Sequence, residues 1–285
     1  MINENIIILI NKPTNNTSFD ICYKLRKIYN TTKIGHTGTL DPNATGLLMV
    51  MINKACKILP YIVHSNKTYI STIKLGIKTD SKDIWGNILK ENKVYNYKKE
   101  DIIKVLNSFI GDSLQIPPLL SAIKVKGKRL YSLYHQGVKD YKIDPRLISI
   151  NSIELLDYNN DIIKFKVNCS SGTYIRVLCE DIAEKLNTIG CMSSLVRIAI
   201  DDFKLEDAID LKDININSKT FTIEEILSKY YQIIEVNDID SVKNGKRLIL
   251  DSNQDIVLVS NNNKILAVYE KDSINNNYRC KRGLW

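Results

Sequence analysis

The sequence lacks the features that mark membrane, disulfide-bonded and metal-binding proteins. The apolar run nearest its start, residues 6–10, is too short for the core of a signal peptide and no basic residues precede it. The six cysteines are scattered, without a C-x-x-C pair or a histidine at ligand spacing. We therefore expect a cytoplasmic protein with free, buried thiols, no metal and no membrane partner. Glycine patterns of phosphate-binding and dinucleotide-binding loops are also missing.

The composition is that of an ordinary globular protein with a basic charge balance. The chain has 285 residues, 44% of them hydrophobic and 25% charged, which is enough for one large domain or two unequal ones. The formal net charge is +8 at pH 7. A basic protein suits an anionic partner such as nucleic acid, although many basic proteins bind none.

Residues 35–46 form the stretch around which the chain is organised. They contain three glycines, a proline and small polar residues, together with His36 and Asp41, and the apolar run 47–52 follows at once. This composition predicts a tight loop that enters a buried strand, which is a common place for functional groups. The alternative is a structural turn in which Asp41 binds its own backbone.

A second candidate for chemistry is Arg176, which follows a glycine turn and an aromatic residue in the stretch 172–176. If Arg176 met Asp41, a charge-assisted pair would keep that carboxylate ionised and ready to act as nucleophile or base. Tyr69, on the alternating segment 67–76, and Tyr174 would then be walls or stacking platforms, the alternative being ordinary core positions. At this point hydrolase, transferase and isomerase all remain open.

Residues 115–146 form the most unusual segment, because cations alternate with tyrosines and no long apolar stripe is present. Such a segment could wrap a phosphate backbone and stack on bases, or be a solvated excursion of the surface. From about residue 230 the chain changes to short apolar pieces split by turns, which predicts a small β domain. The basic candidates for contact with nucleic acid in the first of these segments are Lys124, Lys126, Lys128, Arg129 and Arg146.

Taken in order, these motifs resemble those of the bacterial tRNA pseudouridine(55) synthases of the TruB type. The resemblance covers nearly the whole length, and the closest agreement is in the catalytic motif, residues 35–42. The other matching motifs are Lys12-Pro13 with Thr17-Ser18, Lys67-Thr68-Tyr69, Leu75-Gly76 with Thr79-Asp80, Gln115-Ile116-Pro117-Pro118 with Ser121-Ala122, Gly172 to Arg176, and Leu195 with Arg197.

The resemblance implies an RNA-modifying isomerase that detaches a uracil from its ribose, turns it and rejoins it through carbon. Asp41 would be the catalytic aspartate, although the atom it touches first is left open. Tyr69 would stack on the flipped uracil, and Arg176 would pair with Asp41. Tyr174 and Leu195 would line the uracil pocket, and His36 would fill the place left in the tRNA T-loop. No cofactor or metal would be needed.

The family also implies a fold and a division of the chain. We expect a mixed α/β (α+β) catalytic domain over residues 1–229, with a mainly antiparallel central sheet flanked by helices and an RNA-clamping insertion at about 115–146. A small PUA-like β domain would occupy residues 230–285. The partner would be the T-arm of tRNA, bound by a monomer without protein partners. Two alternatives are a non-catalytic tRNA-binding or folding factor and a guide-RNA-dependent relative.

Overall fold

The structure of the protein is a computed structural model that describes residues 5–62, 66–121, 124–125, 128–129, 143–272 and 274–285. The chain forms two compact units. The first contains residues 1–42, 48–63 and 207–285, and the second contains residues 43–47 and 64–206. Over the described ranges, none of the helices has both the length and the apolar character needed to cross a bilayer.

The secondary structure is dominated by strands, with a few helices between them. The helices are α1 (Ser18–Ile28), α2 (Leu59–Ile62), α3 (Lys99–Asn107), α4 (Ile175–Lys185), α5 (Ile223–Leu227) and α6 (Ile239–Lys243). The strands of the first half are β1 (Ile6–Lys12), β2 (Ile34–His36), β3 (Thr45–Ile52), β4 (Lys67–Leu75), β5 (Ile77–Thr79), β6 (Ile88–Glu91), β7 (Gly111–Gln115), β8 (Lys124–Val125) and β9 (Lys128–Arg129). Those of the second half are β10 (Arg146–Asn159), β11 (Ile162–Cys169), β12 (Gly190–Ile200), β13 (Phe203–Lys204), β14 (Ile209–Asp210), β15 (Phe221–Thr222), β16 (Gln232–Glu235), β17 (Ile256–Asn261), β18 (Lys264–Asp272) and β19 (Asn277–Gly283).

In the first unit, α1 packs on the strands that lead into and out of the loop at residues 35–46. The helix begins at a capping box, in which the Thr17 side chain accepts from the backbone N–H of Asp20 and the Asp20 carboxylate accepts from the N–H of Thr17. β1 lies beside β3, β14 pairs with β1 in parallel, and β2 pairs with β3 in antiparallel. The apolar face of α1 contributes Ile21, Cys22 and Leu25 to the core between them.

The first unit also contains a separate C-terminal sheet, as the change of sequence texture near residue 230 predicts. Its strand order is β16-β17-β18-β19, with β16 and β17 parallel and the other pairs antiparallel. The core of this sheet is apolar and includes Val257, Val259 and Tyr269. The expected mixed α/β class with an additional C-terminal β domain is confirmed.

The second unit is built on a sheet with the order β12-β4-β11-β10-β7, in which every neighbouring pair is antiparallel. The first residues of β3 join its edge, running parallel to β12. Side chains of β4 alternate between buried and half-buried, so residues 67, 69, 71, 73 and 75 share one buried face. Helix α4 packs on this face against β4 and β12. We call this arrangement the α4 face.

Candidate active site

The loop that carries Asp41 is held by a buried lysine. Lys12, the last residue of β1, is fully buried, and its ammonium group donates to the carbonyl oxygens of Pro13 at 2.9 Å, Asn16 at 2.6 Å and Pro42 at 3.0 Å. A buried ammonium has three donors, and each of these bonds to a carbonyl is charge-assisted. One of the three fixes the residue that follows Asp41.

The residue before Asp41 is fixed from the other side by the first turn of α1. The hydroxyl of Ser18 accepts from the backbone N–H of Leu40 at 2.9 Å and lies 3.3 Å from the Leu40 carbonyl oxygen. Both Ser18 and the Leu40 side chain are buried. Asp41 itself is half-buried. Its carboxylate therefore stands on a backbone that is anchored on both sides, which is the preorganisation that a catalytic group requires.

His36 lies at the end of β2, opposite Val50 of β3, and is half-buried. The pairing continues one residue further, since the N–H of Thr37 donates to the carbonyl of Met49 at 3.1 Å. The imidazole is thus presented at the point where the strand gives way to the loop, five residues before Asp41.

In the second unit, Tyr69 and Leu195 share the α4 face. Tyr69 lies opposite Arg197, and Leu195 lies opposite Ser71, so Tyr69 and Leu195 are diagonal neighbours on adjacent strands. Both are buried, at 7% and 8% exposure. Ser71 contacts Cys179 of α4, with 3.6 Å between the hydroxyl oxygen and the sulfur, which shows that the helix lies on the same side of the sheet.

Tyr174 and Arg176 stand at the start of α4. The buried side-chain amide of Gln115 forms two hydrogen bonds to the backbone of Tyr174. It accepts from the Tyr174 N–H at 2.8 Å and donates to the Tyr174 carbonyl at 3.2 Å. The buried guanidinium of Arg176 donates to the carbonyls of Ser81 and Leu120, both at 2.9 Å. Its Nη1 atom also lies 3.7 Å from a carboxylate oxygen of Asp83. Pairing of Arg176 with Asp41 stays a prediction.

The titratable groups of the α4 face limit its chemistry. Burial raises the pKa of Cys169 to about 11 and that of Cys179 to about 12, so both thiols are neutral at physiological pH and are not nucleophiles. Burial and the nearby Arg197 lower the pKa of Lys67 to about 8. Lys67 is two residues from Tyr69 on the same face of β4.

A close approach of two strands explains one glycine of the loop. Gly46 has φ +102°, and a Cβ atom there would lie 2.3 Å from the Arg197 carbonyl oxygen. Arg197 is itself buried and donates from Nε to the Leu47 carbonyl at 2.7 Å. Any larger residue at position 46 would separate β3 from β12, just where the loop joins the strand.

The structure describes only some atoms of the basic residues that are predicted to contact RNA. Arg146 is the first residue of β10, lies opposite Gln115 and is exposed. Lys124 pairs with Arg129 through the backbone in the short β8–β9 hairpin, which also contains Lys128. The side chains of these three residues, and the whole of Lys126, lie outside the described part of the chain.

Sequence reasoning named Lys12, Ser18 and Gln115 only as members of matching motifs and predicted no part for them in positioning the site. Each acts through a hydrogen bond to the backbone of a residue 22 to 59 positions away. Lys12 offered one signal, a lysine placed directly before the proline that ends β1, and Gln115 offered another, a glutamine directly before an extended Ile-Pro-Pro stretch. The partners of these residues could not be read from the sequence.

Comparison with known proteins gives a consistent result. Residues 26–175 match the family model described as TruB family pseudouridylate synthase (N terminal domain). The chain is 41% identical to a tRNA pseudouridine synthase B of Clostridium tetani, covering 94% of this chain and 93% of the relative. It is 38% identical to one from Mesoplasma florum, covering 99% and 98%. A solved Cbf5-Nop10-Gar1 complex contains a chain of the same fold, with a TM-score of 0.74 and 21% identity over 98% of this chain and 85% of that one.

Proposed function

The chain belongs to the TruB family of pseudouridylate synthases, and from that premise we propose that it converts the uridine at position 55 in the T-loop of tRNA into pseudouridine. The observation that carries the proposal is the double anchoring of the Asp41 loop, by Ser18 at Leu40 and by Lys12 at Pro42. A turn that served only to reverse the chain would not require a hydrogen bond from a buried lysine such as Lys12.

The reaction is an isomerisation, so no co-reactant is consumed. The bond between N1 of uracil and C1′ of ribose breaks, the base turns, and a bond forms between C5 and C1′. The proton of C5 is lost and N1 gains one, so the atoms balance without an oxidant, a metal or a cofactor. Asp41 supplies the carboxylate on which the break of the glycosidic bond depends.

Of the remaining residues, some contact the flipped uracil and one contacts the T-loop from which the uracil is removed. Tyr69 stacks on the uracil, while Tyr174 and Leu195 line its pocket. Arg176 pairs with Asp41 and holds that carboxylate ionised. The target must be flipped out of a folded loop, at a cost of about a few kcal/mol. His36 fills the vacated place, since an imidazole can stack and hydrogen-bond at once.

The basic segment supplies the affinity for RNA. In this proposal Lys124, Lys126, Lys128 and Arg129 contact phosphates of the T-arm, with Arg146 at the base of the segment. The C-terminal β domain, over residues 230–285, is a PUA-like RNA-binding module. Changing Lys124, Lys126 and Arg129 to alanine together should weaken binding and flatten its salt dependence. An unchanged salt slope would remove this segment from the interface.

The decisive test measures pseudouridine formation on a T-arm stem-loop with purified protein and no other component. Tritium release from uridine labelled at carbon 5 reports the loss of the C5 proton. We expect Asp41→Asn to abolish release while RNA binding persists, because the amide keeps the shape of the carboxylate and loses its charge. Asp213→Asn, which changes an exposed carboxylate outside both the Asp41 loop and the C-terminal β domain, is the matched control and should be active.

Other outcomes would favour the two alternatives. Tight tRNA binding by the wild type without pseudouridine would indicate a binding or folding factor. Activity only in the presence of a guide RNA and partner proteins would indicate the guide-dependent class. We propose instead a cytoplasmic enzyme that acts as a monomer without protein partners. A transcript in which the T-loop uridine is replaced by cytidine should give no signal with the wild type.

A further inference from the structure

Helix α1 exposes two aromatic side chains that take no part in its core. Phe19 is 58% exposed and Tyr23 is 54% exposed, and their spacing of four residues places both rings on one face of the helix. The opposite face of α1 packs through Ile21, Cys22 and Leu25. The two rings therefore contribute little to the core, and together they form an exposed aromatic surface.

Each ring has a cation above it. The guanidinium carbon of Arg26 lies 5.2 Å from the centroid of the Phe19 ring, and the ammonium group of Lys27 lies 4.8 Å from that of Tyr23. These are cation–π distances. We call these four residues the α1 strip. It consists of two flat surfaces, each carrying a positive charge.

The charge of the α1 strip is not neutralised within the described part of the chain, where neither Arg26 nor Lys27 forms a salt bridge. The Nε atom of Arg26 is buried without a hydrogen-bond partner there. The one carboxylate of α1, Asp20, is occupied by the helix cap, where it accepts from the backbone N–H and the hydroxyl of Thr17. Lys24, on the same helix, adds a further exposed positive charge.

The α1 strip begins beside the catalytic loop. Phe19 directly follows Ser18, whose hydroxyl holds Leu40, the residue before Asp41. From Phe19 to Lys27 the helix rises by roughly 12 Å. That is the length of about three to four stacked nucleotides at 3.4 Å each. A strand of RNA that leaves the Asp41 loop along α1 would meet the rings and the cations in turn.

We propose that the α1 strip binds unpaired nucleotides of the substrate RNA, outside the nucleotide that enters the pocket. Bases stack on Phe19 and Tyr23, and phosphates pair with Arg26 and Lys27. Positive charge interleaved with aromatic faces is the chemistry of single-stranded nucleic acid recognition. The inference rests on the proposed function for the identity of the RNA. A protein partner would have to supply two carboxylates at the spacing of Arg26 and Lys27, whereas an RNA strand carries a phosphate at every nucleotide.

Two double variants separate the two parts of the α1 strip. Phe19→Leu with Tyr23→Leu keeps exposed apolar side chains and good helix formers but removes the aromatic faces. Arg26→Gln with Lys27→Gln keeps polarity and length but removes the charge. The matched control, Tyr95→Ala with Lys104→Gln, removes an exposed ring and an exposed cation from the second unit. Thermal unfolding by circular dichroism checks that all three variants are folded.

The measurement is the dissociation constant for a full-length tRNA transcript at several salt concentrations. We expect the leucine variant to bind at least about tenfold more weakly with an unchanged salt slope, since the stacking faces of both rings are lost and no charge is removed. The glutamine variant should reduce the slope of log K against log salt by about 1.4–1.8, the value for two phosphate contacts. The control should match the wild type in both respects.

Two results would overturn the inference. One is that both variants of the α1 strip bind tRNA as the control does. The other is that the wild type is a dimer in sedimentation and that these variants dissociate it without changing RNA binding, which would make the surface an interface between copies. Pseudouridine formation by the wild type on the same transcript is scored separately. Its absence would refute the proposed function, while a binding loss in the variants would still support an RNA-binding surface on α1.

Discussion

The two hydrogen bonds between the Gln115 side chain and the Tyr174 backbone lead to the most specific prediction about the base pocket. The change is Gln115→Met, which keeps the length and most of the volume of the side chain and removes both polar atoms. In the native protein those two atoms satisfy the N–H and the carbonyl of Tyr174 at 2.8 and 3.2 Å. Tyr174 is also the N-cap residue of α4, so its backbone sets where the helix starts.

The magnitude follows from the burial of the groups involved. Gln115 is 5% exposed, whereas Tyr174 is half-buried. Two hydrogen bonds contribute about 1 kcal/mol each, and an unsatisfied buried group costs about 1–3 kcal/mol. Because water can reach the half-buried Tyr174 and replace part of the loss, we expect the free energy of unfolding to fall by about 2 kcal/mol. If the displaced ring costs the transition state about 1.4 kcal/mol, kcat/KM falls about tenfold.

The assay compares four proteins in urea unfolding and in pseudouridine formation: the wild type, Gln115→Met, Tyr174→Ala and the double variant. Gln232→Met, a change of an exposed glutamine in the C-terminal sheet, is the control for the substitution itself in urea unfolding. If Gln115 acts by positioning Tyr174, the loss of kcat/KM on changing Gln115 should nearly vanish once the ring has been removed. An equal loss in both backgrounds would refute the reasoning.

Three further predictions concern other parts of the site. Lys12→Met removes a buried charged donor from three backbone carbonyls and should lower both the free energy of unfolding, by about 3 kcal/mol, and kcat at saturating RNA. An unchanged kcat would contradict the role of the lysine in holding the loop. Gly46→Ala should lower the free energy of unfolding by about 2–4 kcal/mol, measured by thermal unfolding, because the new Cβ atom meets the backbone of Arg197. Gly172→Ala is the control: a Cβ atom there meets open space, so the change should cost only the backbone strain of about 1–2 kcal/mol. Lys67→Met should stabilise the protein at pH 7, by up to about 3 kcal/mol, since the pKa of this lysine falls from 10.5 to about 8 on folding. Between about pH 8 and pH 10.5 the unfolded chain keeps the Lys67 proton that the folded chain has released, so the stability of the wild type rises with pH and the advantage of the variant disappears above pH 10.5. Urea midpoints of the two proteins at several pH values test this. A difference in stability that does not depend on pH would contradict it.

Local patterns predicted the elements well where one face of an element is buried. Alternation predicted a strand over residues 67–76, and β4 is Lys67–Leu75. Ile175, Leu178, Ile182 and Leu186 recur at helical spacing, which predicts a helix that begins at Ile175, and α4 is Ile175–Lys185. Burial of one face requires apolar residues at the spacing of a strand or a helix, so these two elements can be recognised from the sequence. A serine directly before the helical run that starts at Phe19 predicts Ser18 as the N-cap of α1. The N-cap is instead Thr17, because Asp20 completes a capping box with Thr17, and the Ser18 hydroxyl binds Leu40.

Patterns failed where pairing depends on distant segments. The stretch 78–86 looks like a plain polar loop, yet β5 pairs with β6 and the loop between them supplies Ser81, whose carbonyl binds Arg176. Short, polar strands of this kind carry no apolar period. Their existence depends on the partner strand, which a local window does not include.

For the site as a whole, the order of residues already shows which chemical groups are available: a glycine-rich loop bearing His36 and Asp41, and a second motif bearing Tyr174 and Arg176. These features are readable because loop conformation and residue order are local properties. The contacts that hold those groups in place depend on the folded chain. The bonds from Lys12 to Pro42 and from Gln115 to Tyr174 join residues 30 and 59 positions apart. Their energy comes from burial, which exists only once the chain has folded.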